Sequence, residues 1–342
     1  MAQPHGFYNN PPAYMGFVGF VKLRAGNVRS DQGAQFSHGD MIVRATDADV
    51  AASQEITKPD IIDSRYDKTV YQLGPLIVEG SLGFPAVYDM GSGQNIVETL
   101  YRYVVTRDPQ GLLSDFDVDI KYATGNSAPN ESEFTYDGCI ANTFQFSVSA
   151  EDVVNITTDI IGINRRYNTI QSLGEEYMQN TRVVTWNDAR VEISGGALDT
   201  AIGGQFVREF EANVNNNAER FYTLNTHLMP QAIAPTKRDV DGSLTLMGRH
   251  MSLGELAWTN QNRCDANVDI KFGFETKVTA PGCDAAFGTT IPNCVFEIEE
   301  MALTLDLFET TVNWHALPAA GTGITDPLIT SIGDTEFTYP VD

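Results

Sequence analysis

Alternation of apolar and polar positions dominates this chain, and it predicts strands. Residues 17–23, 41–45, 76–84, 116–122, 144–148, 182–186, 189–193, 206–214, 267–278 and 295–307 carry a period of two or a β-branched and aromatic composition. Phe116 to Tyr122 alternates strictly, as a half-buried strand does. In 295–307 the apolar parity shifts near Glu299-Glu300, which predicts a bulge there. Helical spacing is rare. It occurs in 94–105, where Ile96, Leu100, Tyr103 and Val104 recur behind Ser92 as N-cap, and two short capping-box spacings occur at Ser172-Leu173-Gly174-Glu175 and Ser252-Leu253-Gly254-Glu255. The polar, acidic stretch from Asp47 to Lys68 reads as loop, as does Pro281 to Pro292, and Asn215-Asn216-Asn217 carries turn chemistry. One helix for many strands places the chain in the mostly-β class, as a sandwich or partial barrel with a helix over one opening.

The pattern occurs twice. Val78-Glu79-Gly80-Ser81-Leu82 returns as Val240-Asp241-Gly242-Ser243-Leu244, 162 residues later; Val118-Asp119-Ile120-Lys121 returns as Val268-Asp269-Ile270-Lys271, 150 later; Cys139 returns as Cys294, 155 later. Three matches in one order predict an internal duplication. The chain then divides into an N-terminal arm (1–13), a first β unit (14–161), a linker (162–181), a second β unit (182–317) and a C-terminal extension (318–342). Long alternating strands with so little helical cover leave sheet edges that a self-assembling protein pairs with a neighbour.

Composition narrows the function. With 22 Lys and Arg against 45 Asp and Glu, the formal charge of -23 repels polyanions, which excludes sequence-reading nucleic-acid binding. The apolar run Tyr14 to Val21 is too short to span a bilayer and lacks the flanks of a secretory signal, so synthesis in a cytosol and no membrane anchor are expected. The histidines are dispersed, and no HExxH, GxSxG or phosphate-binding glycine motif occurs, so neither an enzyme nor a cofactor is expected. Asp115, Asp117 and Asp119 repeat at a spacing of two, which puts three carboxylates along one strand face about 7 Å apart. That is too wide for one cation without other ligands, and a solvated or lumen-facing edge is the plainer reading. Glu297, Glu299 and Glu300 are similar. Cys139 and Cys294 read as buried small apolar residues; Cys264 and Cys283 bracket one strand and loop, and they would pair as a disulfide only with Cα atoms within about 7 Å.

The stretch Phe206 to Leu224, followed by Pro230, Ile233-Ala-Pro-Thr-Lys-Arg-Asp239 and Val240-Asp-Gly-Ser-Leu-Thr-Leu246, resembles the central signature of tailed-phage tail tube proteins. Tyr71 to Pro75 and Val78 to Leu82 resemble it again in the first half. The resemblance implies a tube fold in which inner sheets join into a barrel around a lumen, and rings stack to form a conduit for DNA delivery into the host. Two copies per chain imply homotrimeric rings with pseudo-sixfold symmetry; hexameric rings are the alternative. It implies a place in the virion tail beside tail terminator, distal tail or baseplate proteins, with tape measure protein and DNA inside without specific binding. Asp117, Asp119, Glu297 and Asp306 are the candidates for an acidic lumen wall. The arm at 1–13, the excursion at 24–40 and the loop at 195–204 are the expected stacking contacts. The alternative function is a carbohydrate- or receptor-binding β-sandwich of a virion, which would display exposed aromatics on loops and remain a discrete oligomer.

Overall fold

The computed structural model describes residues 19–25, 41–43, 45–57, 72–89, 95–107, 111–122, 132–168, 181–195, 202–203, 206–224, 228–247, 268–276, 285–297, 309–317 and 330–332. The first half contributes β1 (Gly19–Ala25), β2 (Met41–Val43), β3 (Asp47–Thr57), β4 (Gln72–Pro85), β5 (Val87–Asp89), α1 (Ile96–Val105), β6 (Phe116–Tyr122), β7 (Ser132–Ala141), β8 (Thr143–Ser149), β9 (Asn155–Gly162) and β10 (Asn164–Asn168). The second contributes β11 (Thr181–Val183), β12 (Ala189–Gly195), β13 (Ile202–Gly203), β14 (Val207–Asn215), β15 (Glu219–Phe221), β16 (Ala232–Ala234), β17 (Asp239–Met247), β18 (Val268–Thr276), β19 (Ala285–Glu297), β20 (Glu309–Ala316) and β21 (Thr330–Ile332). The protein is mostly β, with antiparallel pairing throughout and one helix among the described residues.

Hydrogen bonding runs in the same order in both halves. The first follows β1-β6-β7-β9-β4-β3, with β10 also on β7. The second follows β12-β18-β19-β20-β17-β14, with β21 also on β19. β8 joins them, pairing with β9 on one side and β14 on the other, so that 17 strands form one continuous network.

Local details repeat as well. In each half the ladder shifts register just before a cysteine, at Asp137-Gly138 and at Pro292-Asn293. Gly138 (φ 59°) and Asn293 (φ 58°) occupy the left-handed region, which glycine and asparagine tolerate best. Cys139 and Cys294 are free and buried, and each donates its thiol to the carbonyl three residues back, Tyr136 O at 3.5 Å and Ile291 O at 3.3 Å. Burial pushes both thiols above their ordinary range, so they stay protonated and inert. Gly80 and Gly242 hold matching close approaches: a Cβ there would lie 2.0 Å from Asp49 O and 2.1 Å from Glu211 O.

One hydrophobic core draws on both halves. At their junction Tyr101 of α1 sits edge-on to Phe144 of β8 and Phe287 of β19, both with centroids 5.3 Å away, and its hydroxyl bonds Thr289 Oγ1 at 2.6 Å. Beyond it Phe146, Phe210 and Phe272 interlock, and Trp314 stacks on Phe210. α1 begins at Asn95, whose Oδ1 accepts Val97 N at 3.0 Å; Ser92 lies outside the described residues. Its other end is capped from the second half. Arg238 Nη2 donates to Val105 O at 2.8 Å and Val104 O at 3.3 Å, its Nε to Asn216 Oδ1 at 3.0 Å, and Asn216 Nδ2 to Val104 O at 2.9 Å. A cation and an amide thus satisfy carbonyls at the negative end of the helix dipole.

Several sequence expectations are overturned. Asp47 to Thr57 is strand β3, because Ala48, Val50 and Ala52 alternate inward against the core, while Asp47, Asp49, Ala51 and Ser53 face outward. Ala285 to Pro292 belongs to β19, where the bulge at Pro292-Asn293 absorbs the proline within the ladder. Asn164 to Asn168, read as linker, is strand β10 on β7. The capping-box segments at 172–175 and 252–255 and the bulge at Glu299-Glu300 lie outside the described residues.

Candidate functional site

Phe116 to Ile120 is buried on both faces, against the half-buried expectation, because the carboxylates on its polar face are covered by partners from other strands. Asp119 (4% exposed) accepts Arg24 Nη2 at 2.9 Å and Thr135 Oγ1 at 2.6 Å. Asp117 (3% exposed) accepts Gly138 N at 3.0 Å through Oδ1, which ties it to the bulge before Cys139. Neighbouring Asp137 is held by Arg166, Nε to Oδ2 at 2.6 Å. Burial raises the Asp117 carboxyl above its ordinary range; the Gly138 amide and Arg24 oppose this, while Asp137 and Asp115 add to it. These two aspartates are internal ligands that fix β1, β6 and β7 together, and they are not surface charge in the single chain.

Glu297 is exposed, with its Oε2 4.0 Å from His315 Nε2. Asp306, Cys264 and Cys283 lie outside the described residues, as do Glu299 and Glu300. Among the described residues no group of three or more His, Cys, Asp or Glu is placed to hold a metal ion.

What the fold does present is surface for association. β14 is paired on both edges, by β17 and by β8. β3, which holds the same place in the first half, pairs among the described residues only with β4. A strand edge of this kind offers unused N–H and C=O groups to another strand.

Exposed large apolar side chains sort to the two strand ends. Where β4 finishes and β9 begins stand Val183, Trp186, Phe206 and Met247. At the opposite end stand Leu73, Phe221, Tyr222, Leu224, Leu228 and Leu317, with Leu224 95% exposed. Four of the second group, Phe221, Tyr222, Leu224 and Leu228, come from the excursion between β14 and β17, which crosses onto the first half. Leu76 N donates to Leu228 O at 2.6 Å, Tyr222 Oη to Leu76 O at 3.2 Å, and Arg220 Nη2 to Val78 O at 2.8 Å. Of the expected stacking segments, 1–13, 26–40 and 196–201 lie outside the described residues. Sequence reasoning missed these end groups and the β3 edge. The tail tube resemblance rested in part on Phe221, Tyr222 and Leu224, yet nothing in the sequence announces that they face outward.

A strand edge unpaired among the described residues and apolar groups at both strand ends are features that serve self-association. The chain belongs to the phage tail tube protein family, whose pattern matches residues 45–276, from the residues just before β3 to the end of β18. It is therefore a virion protein of the phage tail that self-assembles, with other tail proteins, into a tube. No curated protein matches the chain. Among the described residues no helix is long and apolar enough to cross a membrane.

Proposed function

We propose that this protein polymerises into stacked rings and that the resulting tube is the conduit for DNA delivery into the host. Three chains form each ring, every chain supplying two equivalent units. The observation that carries this reading is the repeated strand order, reinforced by the paired bulges at Gly138 and Asn293 and the paired close approaches at Gly80 and Gly242. Two like units related by a sixth of a turn make a ring of six units from three chains. The excess of acidic residues keeps the lumen wall from holding the DNA that passes it. Glu297, exposed, and Asp306 remain the candidates for that wall. The apolar groups at opposite strand ends support stacking, since a head-to-tail contact between unlike surfaces adds subunits without limit. Tail terminator and distal tail proteins would cap the two ends, and tape measure protein would fill the lumen before DNA does.

Electron microscopy of the purified protein tests this. Hollow cylinders whose averaged rings have threefold symmetry are expected. Discrete globular particles at every concentration would refute the tube; six equivalent subunits per ring would refute the two-unit arrangement.

A further inference from the structure

Two bases of β1 stand across from two acids of β6. Arg24 is directly opposite Asp117 in the ladder, and Lys22 is directly opposite Asp119. Arg24 nevertheless reaches along the diagonal: its Nη2 donates to Asp119 Oδ1 at 2.9 Å, and its Nε lies 2.8 Å from Asp119 Oδ2. We propose that Arg24 is a two-position switch, which grips Asp119 while Asp117 carries a proton and moves to Asp117 when that proton is lost, leaving Lys22 to serve Asp119. The device belongs to the single chain and does not depend on the ring reading.

Charge matching at this corner explains why the proton sits on Asp117. The titratable and charged groups around it are Arg24 and Lys22 on β1, Asp115 and Asp119 on its own segment, Asp137 and Cys139 on β7, Arg166 on β10 and Tyr103 on α1. Arg24 engages Asp119, and Arg166 forks onto Asp137 through Nε and Nη2. Asp117, 3% exposed, is held instead by the Gly138 amide at 3.0 Å, and burial raises its carboxyl above the ordinary range. Cys139 and Tyr103 add no charge, because burial pushes the thiol well up and the phenol up to about 12.

The second position is within reach. Directly opposed residues of an antiparallel pair lie closer than diagonal ones, so the move to Asp117 shortens the span that Arg24 bridges. Its present grip is imperfect: the Nε contact to Asp119 is close, but the N–H has no aligned acceptor among the described residues. Asp119 is not stranded by the move, since Thr135 Oγ1 still donates to it at 2.6 Å and Lys22 stands across from it. Ionised Asp117 beside Asp137 would otherwise place two like charges in a buried corner, which the arriving guanidinium offsets.

The second half has no counterpart. Aligned on the bulges and their cysteines, two residues off the sequence echo, the ladders set Asp269 at the place of Asp117, Ser194 at Arg24, Lys271 at Asp119, Glu192 at Lys22 and Pro292 at Asp137. A serine cannot move a charge. Proton loss therefore rearranges this corner in the first unit and leaves its counterpart in the second unchanged.

Nuclear magnetic resonance of the unassembled full chain tests this, following the Asp117 carboxyl carbon and the Arg24 Nε–H signal with pH. Asp117 is expected to titrate above 3.8, the Arg24 signal to move with the same midpoint, and Asp117→Asn to hold that signal at its acid position throughout. Double-mutant cycles separate movement from a through-space effect on the signal. On the acid side of the midpoint, Arg24→Met and Asp119→Asn should be coupled by at least about tenfold in the unfolding equilibrium. On the alkaline side that coupling should be lost, and one of similar size should arise between Arg24→Met and Asp117→Asn. Should a variant fail to fold, the titration of the unaltered chain decides alone. An Arg24 signal that does not follow Asp117, an Arg24–Asp119 coupling equal on both sides, or an Asp117 that titrates at or below the ordinary carboxyl value would overturn the switch.

Discussion

Arg238→Met tests whether the first half depends on a residue of the second. Arg238 is 6% exposed; methionine keeps its apolar stem and removes the guanidinium, which is bonded to Val105 O at 2.8 Å, Val104 O at 3.3 Å and Asn216 Oδ1 at 3.0 Å. Hydrogen bonds to a charged group contribute roughly 1.5–3 kcal/mol each, and the 3.3 Å contact counts for less than the others. Relief of the buried charge's desolvation offsets part of the loss. Val104 O also keeps its bond from Asn216. The expected net cost is about 3 kcal/mol. Arg238→Lys should fall between, because an ammonium on a flexible stem cannot reproduce the planar fork. Urea unfolding of the unassembled chain measures it, as a lower midpoint at unchanged slope. A loss under about 1 kcal/mol would show that the cap contributes little and that the halves are held by the β8–β14 ladder and the aromatic core.

Asp117 has a carboxyl raised above 3.8, so the folded chain binds its proton more tightly than the unfolded chain does. Its contribution is full below pH 3.8 and is lost as pH rises through the raised value. Asp117→Asn, which can still accept from Gly138 N, should therefore be more stable than the unaltered protein at neutral pH and equal to it at the acid end; a difference that does not change with pH would refute the assignment. Gly80→Ala and Gly242→Ala should each destabilise by about 1–3 kcal/mol or more, since each Cβ meets a backbone carbonyl at 2.0 or 2.1 Å; calorimetry showing one of them neutral would break the equivalence of the two strands. Leu224→Asp should leave the monomer's melting unchanged, because the side chain is 95% exposed, and should yield rings that do not lengthen into tubes in electron micrographs; tubes of normal length would remove the excursion from the stacking contact.

What the sequence revealed follows the physics of each element. Helix α1 was legible because Ile96, Leu100, Tyr103 and Val104 mark a buried stripe within ten residues. The xGSL strands and the two cysteines were legible because they repeat. β3 was not, since its core-facing positions are Ala48, Val50 and Ala52, two of them almost without side chain, and Ala51 on the outward face blurs the alternation. β19 was hidden by Pro292, whose place in a bulge only pairing discloses. The burial of Asp117 and Asp119 was illegible for another reason. Nothing local distinguishes a solvated carboxylate from one that Arg24, Thr135 and Gly138 enclose, and those partners come from two other strands, β1 and β7. That β3 pairs among the described residues on one edge and β14 on two was out of reach altogether, being a difference between two pairing patterns.

The cap on α1 also bears on how the chain is made. Its C-terminal carbonyls wait for Arg238, more than 130 residues downstream, and Tyr101 waits for Thr289, 188 residues downstream. A ribosome moving from the amino end therefore releases a first half that has its apolar helix stripe and Phe144 but neither the cap nor Phe287, the partner of Tyr101 in the second half. Folding is completed late, when most of the chain has emerged. In a protein built to polymerise, that order of events delays the adhesive state until the subunit is whole.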